Sequence, residues 1–257
     1  MHRGPVDESV GGFLRERVAP RRAICYRSPM FRSELRVNGV DLIADLSGAL
    51  WWPARATLVV ADLHLEKGSS FAAAGSLLPP YDTDATLDRL SEAIARLEPA
   101  RVIALGDSFH DRDAASRIAP ATVARLGALV GATEWIWIAG NHDPSPDGPW
   151  GGAVRDELTE GALRFRHAAD DAAPHGEVSG HFHPKATLHL RARRLSARCF
   201  VTDGRRLVLP AFGAYAGGLD VFAPPLRALF RGGFEAFLLG PSRVIAVGHT
   251  RLQQIPA

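Results

Sequence analysis

Apolar and polar positions change rhythm three times along the chain. Residues 1–29 are rich in Arg, Gly and Pro and show no hydrophobic period. They are expected to form a disordered basic extension, with Met30 an alternative start and 30–257 a single domain. From there the pattern sharpens. Segments 33–37 and 40–45 are short and partly alternating, and Gly39 falls between them, as in an opening hairpin. The run Thr57-Leu58-Val59-Val60-Ala61 is wholly apolar, as a strand buried on both faces would be. Over 82–97, Leu87, Leu90, Ile94 and Leu97 recur at helical spacing, Asp82 or Thr83 can cap, and Pro99 stops the helix. A second buried strand is predicted over 101–105, a helix over 119–130, and a third strand over 134–139.

Beyond residue 143 the helical period fades. Segments 162–167, 186–192, 198–202, 206–210, 234–239 and 243–248 read as strands between Gly, Pro and Asp turns. The first half is βαβ-like and implies a parallel sheet. The second is strand-rich and implies antiparallel pairing. Together they predict one α/β domain with two packed sheets.

Charge follows the same division. The chain has 257 residues, 30 Lys+Arg, 28 Asp+Glu and a net charge of +2. Six of the Arg and three acidic residues lie in 1–29, so the body carries a net −1. A wholly basic nucleic-acid coat is thereby excluded. Cys25 and Cys199 are far apart and outside any CxxC pair, which argues against a disulfide framework or a structural zinc site. No run approaches 18 apolar residues and the Arg-rich start lacks a secretory apolar core, so a cytoplasmic location is expected.

Each of the three apolar strands of the first half runs into polar residues that can bind metal: Asp62 and His64, then Asp107, then Asn141 and His142. In α/β sheets, ligands collect beyond the carboxyl ends of the strands. At strand period two, Asp62 and His64 share a face, and so do His181 and His183. With His167, seven candidate ligands result: Asp62, His64, Asp107, Asn141, His167, His181 and His183. That is too many for one ion and suits a bridged pair, which can generate a nucleophilic hydroxide near neutral pH. An isolated Asp-x-His, a Gly-Asp turn or a His-x-His on a solvated strand is ordinary. Their succession after buried strands is not. The set lacks thiolate and accepts Mn, Fe, Zn or Ni. The lone histidine has two candidates: His167 at the end of a strand-like run, and His175 in an Ala/Asp/Pro loop.

In this order, Asp-x-His, Gly106-Asp107, Gly140-Asn141-His142-Asp143, a lone His and Gly180-His181-Phe182-His183 resemble the calcineurin-like metallophosphoesterases. The resemblance is closest to the bacterial ligase-associated DNA damage response endonucleases. It rests on Ala44–Pro53, Val60–Phe71, Leu78–Thr83, Gly106–Asp111, Gly180–Pro184 and Leu209–Tyr215. It implies a fold of two packed mixed β-sheets flanked by helices, an α/β/β/α sandwich. It implies two divalent ions, most often manganese, with Asp62, His64 and His183 on the first, Asn141, His167 and His181 on the second, and Asp107 between. His142 would assist the leaving oxygen and Asp143 would hold its ring. His110 stands where the wider superfamily often has Asp, and either faces the phosphate or is structural. A ligase, a helicase and an exonuclease are partners implied by the same resemblance.

The expected activity is endonucleolytic cleavage of single-stranded DNA in repair, by attack of a metal-bridged hydroxide. A phosphodiesterase or phosphatase for a small metabolite, and a non-catalytic binding module, are the competing readings. Arg191, Arg193, Arg194, Arg198, Arg205 and Arg206 form a candidate phosphate-binding patch, or else a solvated sheet face. Trp51, Trp52, Phe109 and Tyr215 are candidates for stacking unpaired bases or for the core.

Overall fold

The first sheet opens with the hairpin that the sequence predicts. Strands β1 (Arg32–Val37) and β2 (Val40–Asp45) pair antiparallel about Asn38-Gly39, both at positive φ (47° and 82°), as a tight hairpin turn demands. The computed structural model describes residues 32–254 apart from 77, 78, 80, 171, 173, 174, 191 and 192. The basic extension, Met30 and Cys25 lie outside the described residues.

Strands β3 (Leu50–Trp52) and β4 (Thr57–Val60) continue the antiparallel order. After helices α1 (Lys67–Ala73) and α2 (Asp82–Leu97), β5 (Arg101–Leu105) pairs parallel to β4. Helices α3 (Ala114–Arg117) and α4 (Pro120–Gly131) precede β6 (Glu134–Ile138) and β7 (Ala153–Arg155), which extend the parallel half. Helix α2 matches its sequence limits, since Glu98 closes it in a left-handed cap whose N–H reaches the Ile94 carbonyl.

The second sheet is built from β8 (Glu157–Glu160), β9 (Leu163–Arg166), β10 (Glu177–Ser179), β11 (Pro184–Leu190), β12 (Arg193–Thr202), β13 (Arg206–Val208) and β14 (Leu219–Asp220). Helix α5 (Pro224–Leu229) is followed by β15 (Glu235–Leu239) and β16 (Val244–Gly248), which join through β12. Antiparallel pairing, expected here, is interrupted: β10 runs parallel to both β9 and β13, and β11 runs parallel to β14, so the sheet is mixed. Strands β10 and β14 have only three and two residues, too few to show a period.

Alternation along the strands separates the layers. Val59, Ala61, Ile103, Leu105, Ile136 and Ile138 meet Phe165, Val178, Phe200 and Leu207 in the core between the sheets. Their neighbours Leu58, Val60, Val102, Ala104, Trp135 and Trp137 turn the other way, onto Leu87 and Leu90 of α2 and Leu126 and Val130 of α4. Cys199, Val201 and Val208 face outward beneath Leu226 and Leu229 of α5. The layers are α/β/β/α. Truncating an inter-sheet ring such as Phe165 to Ala would cost about 3–5 kcal/mol. The inter-sheet core fixes the ends of β4, β5, β6, β9 and β10 on one edge, where the polar motifs lie.

Candidate metal centre

Strands β4, β5 and β10 stop before the motifs, at Val60, Leu105 and Ser179. Strand period is therefore not what aligns Asp62 with His64, or His181 with His183. All four are in the left-handed region (φ 54°, 45°, 69° and 47°), and so is Asp107 (φ 46°). This conformation is costly for residues bearing a Cβ, and it persists where the surroundings dictate it. Here they do. The His64 N–H donates to the Asp107 carbonyl (2.9 Å), Leu65 N–H to Ser108 (2.9 Å), and His110 N–H back to Leu65 (2.9 Å). The Asp62 carboxylate accepts the His181 N–H (2.9 Å), which ties the two sheets' loops together. The motif glycines make room for ligands from other loops. A Cβ on Gly106 would stand 2.5 Å from His167 Nδ1, and one on Gly180 would stand 2.6 Å from Asp62 Oδ2.

Two clusters result. Asp62, His64 and His183 form the first, and Asp107, His167 and His181 the second, with ligand atoms in each within 4.8 Å of one another. In the first, His64 Nε2 faces His183 Nε2 at 3.3 Å, and Asp62 Oδ1 lies 3.4 Å from the latter. In the second, His167 Nε2 lies 2.6 Å from Asn141 Oδ1, 3.1 Å from His181 Nδ1 and 3.5 Å from Asp107 Oδ1. Asp62 Oδ1 is also 3.9 Å from His167 Nδ1, so the clusters abut. All seven sequence candidates are thus brought to one place. His175 is exposed and outside it.

The donor set fits divalent cations. His167 Nδ1–H donates to the Leu105 carbonyl (3.0 Å), leaving the Nε2 lone pair to converge with the Asn141 oxygen and the Asp107 carboxylate. His64 Nδ1 faces His110 Nδ1 at 3.4 Å, leaving His64 Nε2 to face His183. Burial, then the His183, His110 and His142 rings and the Lys67 ammonium, hold His64 down at about 2, so it is neutral. Burial, then His167, lowers His181. Neutral imidazoles with aligned lone pairs are what a metal requires.

The histidine beside the clusters is held differently from the expected arrangement. His142 Nδ1–H donates to the His110 carbonyl (2.9 Å), and its Nε2 faces Asp107 Oδ2 at 4.0 Å. Asp143 is not its partner. That carboxylate is buried and accepts the Phe109 N–H (3.0 Å), joining the loop after β6 to the loop after β5. The correction follows from direction: the Asp143 side chain turns into the protein while the His142 ring, 44% exposed, turns out. Burial, with the nearby Asp107, raises Asp143 to about 7. His110 stacks on His142 (centroids 5.6 Å, 21°) as well as facing His64.

Among the described residues the arginines do not gather into a patch. Arg191 and the Arg193 side chain lie outside what is described. Arg194 and Arg205 are exposed but stand at opposite ends of β12, roughly 25 Å apart at strand rise. Arg206 is buried against Glu177 (3.6 Å). Arg198 turns inward to the Ala211 carbonyl, and burial, then Arg89, lowers it to about 10. Of the aromatic candidates, Trp52 and Phe109 are buried and Trp51 packs against the helical layer. Tyr215 alone of them is exposed. Two residues beside the centre escaped the sequence reading: Lys67, and Phe71, whose ring meets His110 at 5.7 Å. Both sit on α1, whose Gly68, Ser69 and Ser70 hide its helical character. The helix is held by Asp82, which accepts the Gly68 N–H (3.0 Å).

A family model described as calcineurin-like phosphoesterase matches residues 56–196. Among solved structures, the Pseudomonas putida nuclease MPE is 30% identical, with a TM-score of 0.62 over 83% of this chain and 100% of that one. The E. coli phosphoesterase Yfce is 13% identical, with a TM-score of 0.39 over 74% of this chain and 97% of that one. No curated protein matches the chain significantly. The family match spans more than half of the 257 residues and covers Asp62 through His183, so the chain belongs to the calcineurin-like phosphoesterases, a family of metal-dependent hydrolases of phosphate esters.

Proposed function

We propose that this protein is an endonuclease that cuts single-stranded DNA during bacterial DNA repair, working in the cytoplasm with two manganese ions. The observation that carries the reading is the pair of abutting clusters with the His142 ring on their exposed side. The likeness to a nuclease at 30% identity supports a nucleic-acid substrate. An imidazole, carboxylate and amide set without thiolate supports manganese. A DNA ligase, a helicase and an exonuclease would be its functional associates.

In this reading Asp62, His64 and His183 would hold one ion and Asn141, His167 and His181 the other, with the Asp107 carboxylate available to both. Ions bound there would supply an activated water and neutralise the non-bridging phosphate oxygens. The remaining work falls to the chain. The His110 carbonyl fixes the His142 ring through Nδ1, so Nε2 is the atom that gives a proton to the departing ribose oxygen. His110 acts through its neighbours by orienting His64 and backing the His142 ring.

The test is a manganese-supplemented digestion of circular single-stranded DNA beside a nitrophenyl phosphodiester. Only an endonuclease opens the circle. Linearisation that a chelator stops is expected. Turnover of the ester with the circle left intact would instead mark a phosphoesterase for small metabolites.

A further inference from the structure

The large apolar side chains exposed among the described residues are three aromatic rings: Phe71 (37%), Tyr81 (67%) and Tyr215 (48%). An exposed ring held beside a metal centre calls for an occupant, and two of the three, Phe71 and Tyr215, are on segments tied to it. Phe71 lies against His110, which itself faces His64 of the first cluster. Lys67 ties the backbone of Tyr215 to this edge: its ammonium donates to the Tyr215 carbonyl (3.1 Å) and lies 5.9 Å from the Phe71 ring centre. Tyr215 is held at φ 58°, a conformation that a bulky residue adopts only under constraint. The constraint is visible in the flanking bonds, Gly213 N–H to the Asp62 carbonyl (3.1 Å) and Ala214 N–H to Thr86 Oγ1 (2.9 Å). The loop that carries Tyr215 is therefore anchored to the metal-ligand loop itself.

We infer that Phe71 and Tyr215, with Lys67 between them, form a platform on which unpaired bases stack while the ammonium holds the phosphate joining them. The occupant is a single nucleic-acid strand. Its bases have free faces, which a duplex conceals, and its backbone complements a lysine that forms no ion pair among the described residues. Lys67 lies beside the Phe71 ring, which meets His110, which faces His64 at 3.4 Å, so a phosphate on the ammonium is adjacent to the clusters. The inference deepens the nuclease reading and rests on it for the position of the cut, but binding alone can test it.

The test compares two fluorescent, phosphorothioate-linked oligomers of equal length and charge, oligo(dT) and its abasic analogue, by anisotropy on the manganese-loaded full chain. Stacking contributes about 5- to 150-fold per base, so wild type is expected to favour oligo(dT) by at least about fivefold. Phe71→Ala and Tyr215→Ala should each shrink the preference several-fold, and the double variant should bring it near one. Phe71→Leu and Tyr215→Leu, which keep apolar bulk without a stacking face, should do the same if the alanine variants fold poorly. Lys67→Ala should weaken both oligomers equally and leave the ratio intact. A wild-type ratio near one, or a ratio that survives loss of both rings, overturns the platform. A protein that prefers oligo(dT) through these rings yet never opens the circle retains the platform and refutes the nuclease.

Discussion

The His142 imidazole is oriented by the backbone carbonyl of His110, 2.9 Å from its Nδ1, and not by the carboxylate that follows it in sequence. A ring fixed by a carbonyl presents Nε2 outward in either protonation state. His142→Ala should therefore lower kcat by about 10²–10⁴ while bound manganese, measured by metal analysis, stays at the wild-type level. Asp143→Asn keeps an oxygen for the Phe109 N–H and should cost less than about tenfold, a small effect on this scale. Equal losses in the two variants would show that the carboxylate reaches the ring in the working enzyme.

His110 should influence metal rather than chemistry. Its Nδ1 faces that of His64 at 3.4 Å, which leaves Nε2 of His64 for the ion. Removing such an orienting group typically weakens metal affinity about 10–100-fold. His110→Ala should show that drop in a manganese titration, and saturating metal should restore most of kcat. A loss of kcat that no metal concentration repairs would place His110 on the substrate instead.

Much of this was legible in the sequence, and the exceptions have physical causes. Helix α2 announces itself because its core imposes a period on Leu87 and Leu90, and the buried strands because both faces are covered, which makes Val102 through Leu105 apolar without a break. The ligands are legible by residue type and order. The reason that they align is not, since left-handed turns at Asp62, Asp107 and His181 leave no periodic trace. Side-chain direction separates Asp143 from His142 although they are adjacent. Composition suggested an arginine patch on neighbouring strands. Strand length and burial dispersed it, because Arg194 and Arg205 flank β12 and Arg198 points inward.

The two loop histidines offer a paired test. His167 is buried, donates to the Leu105 carbonyl, and aims Nε2 at Asn141 and Asp107. His175 is exposed. His167→Ala should lose about one manganese per chain and most of the activity, since half of a two-ion clamp is removed. His175→Ala should retain both. The comparison requires only metal counting and one rate assay. Loss of metal in the His175 variant would reverse the assignment.

Metal should also stabilise the fold, because the ligands come from loops of both sheets. Asp62 and His64 follow β4, and His183 follows β10. A ligand that binds only the native state adds about 2.7 kcal/mol at one hundred times its Kd. Manganese should accordingly raise Tm in a thermal melt, and a chelator should lower it reversibly. A variant lacking both Asp62 and Asp107 should show no such response. If Tm ignores manganese while the ion is bound, the two loops are held by the sheets alone.

Glu177 sets a pH dependence that is independent of the metal ligands. It is buried, Arg166 and Arg206 approach it at 3.5 and 3.6 Å, and the Asp170 N–H donates to it (3.0 Å). Burial nevertheless outweighs these partners and raises its pKa above the ordinary 4.5. The native state then keeps its proton where the unfolded chain has lost it. Stability from this group is therefore full below about 4.5 and falls as pH rises through the raised value. Glu177→Gln removes the titration. In urea melts from pH 4 to 8, wild type minus Glu177→Gln should decline with pH and then level. A difference that grows with pH would mean that the guanidiniums outweigh burial. Glu177→Ala should cost more than Glu177→Gln at every pH, because it removes the acceptor of the Asp170 N–H, about 1–3 kcal/mol, while Arg206 keeps its bond to the Asp170 carbonyl (3.2 Å).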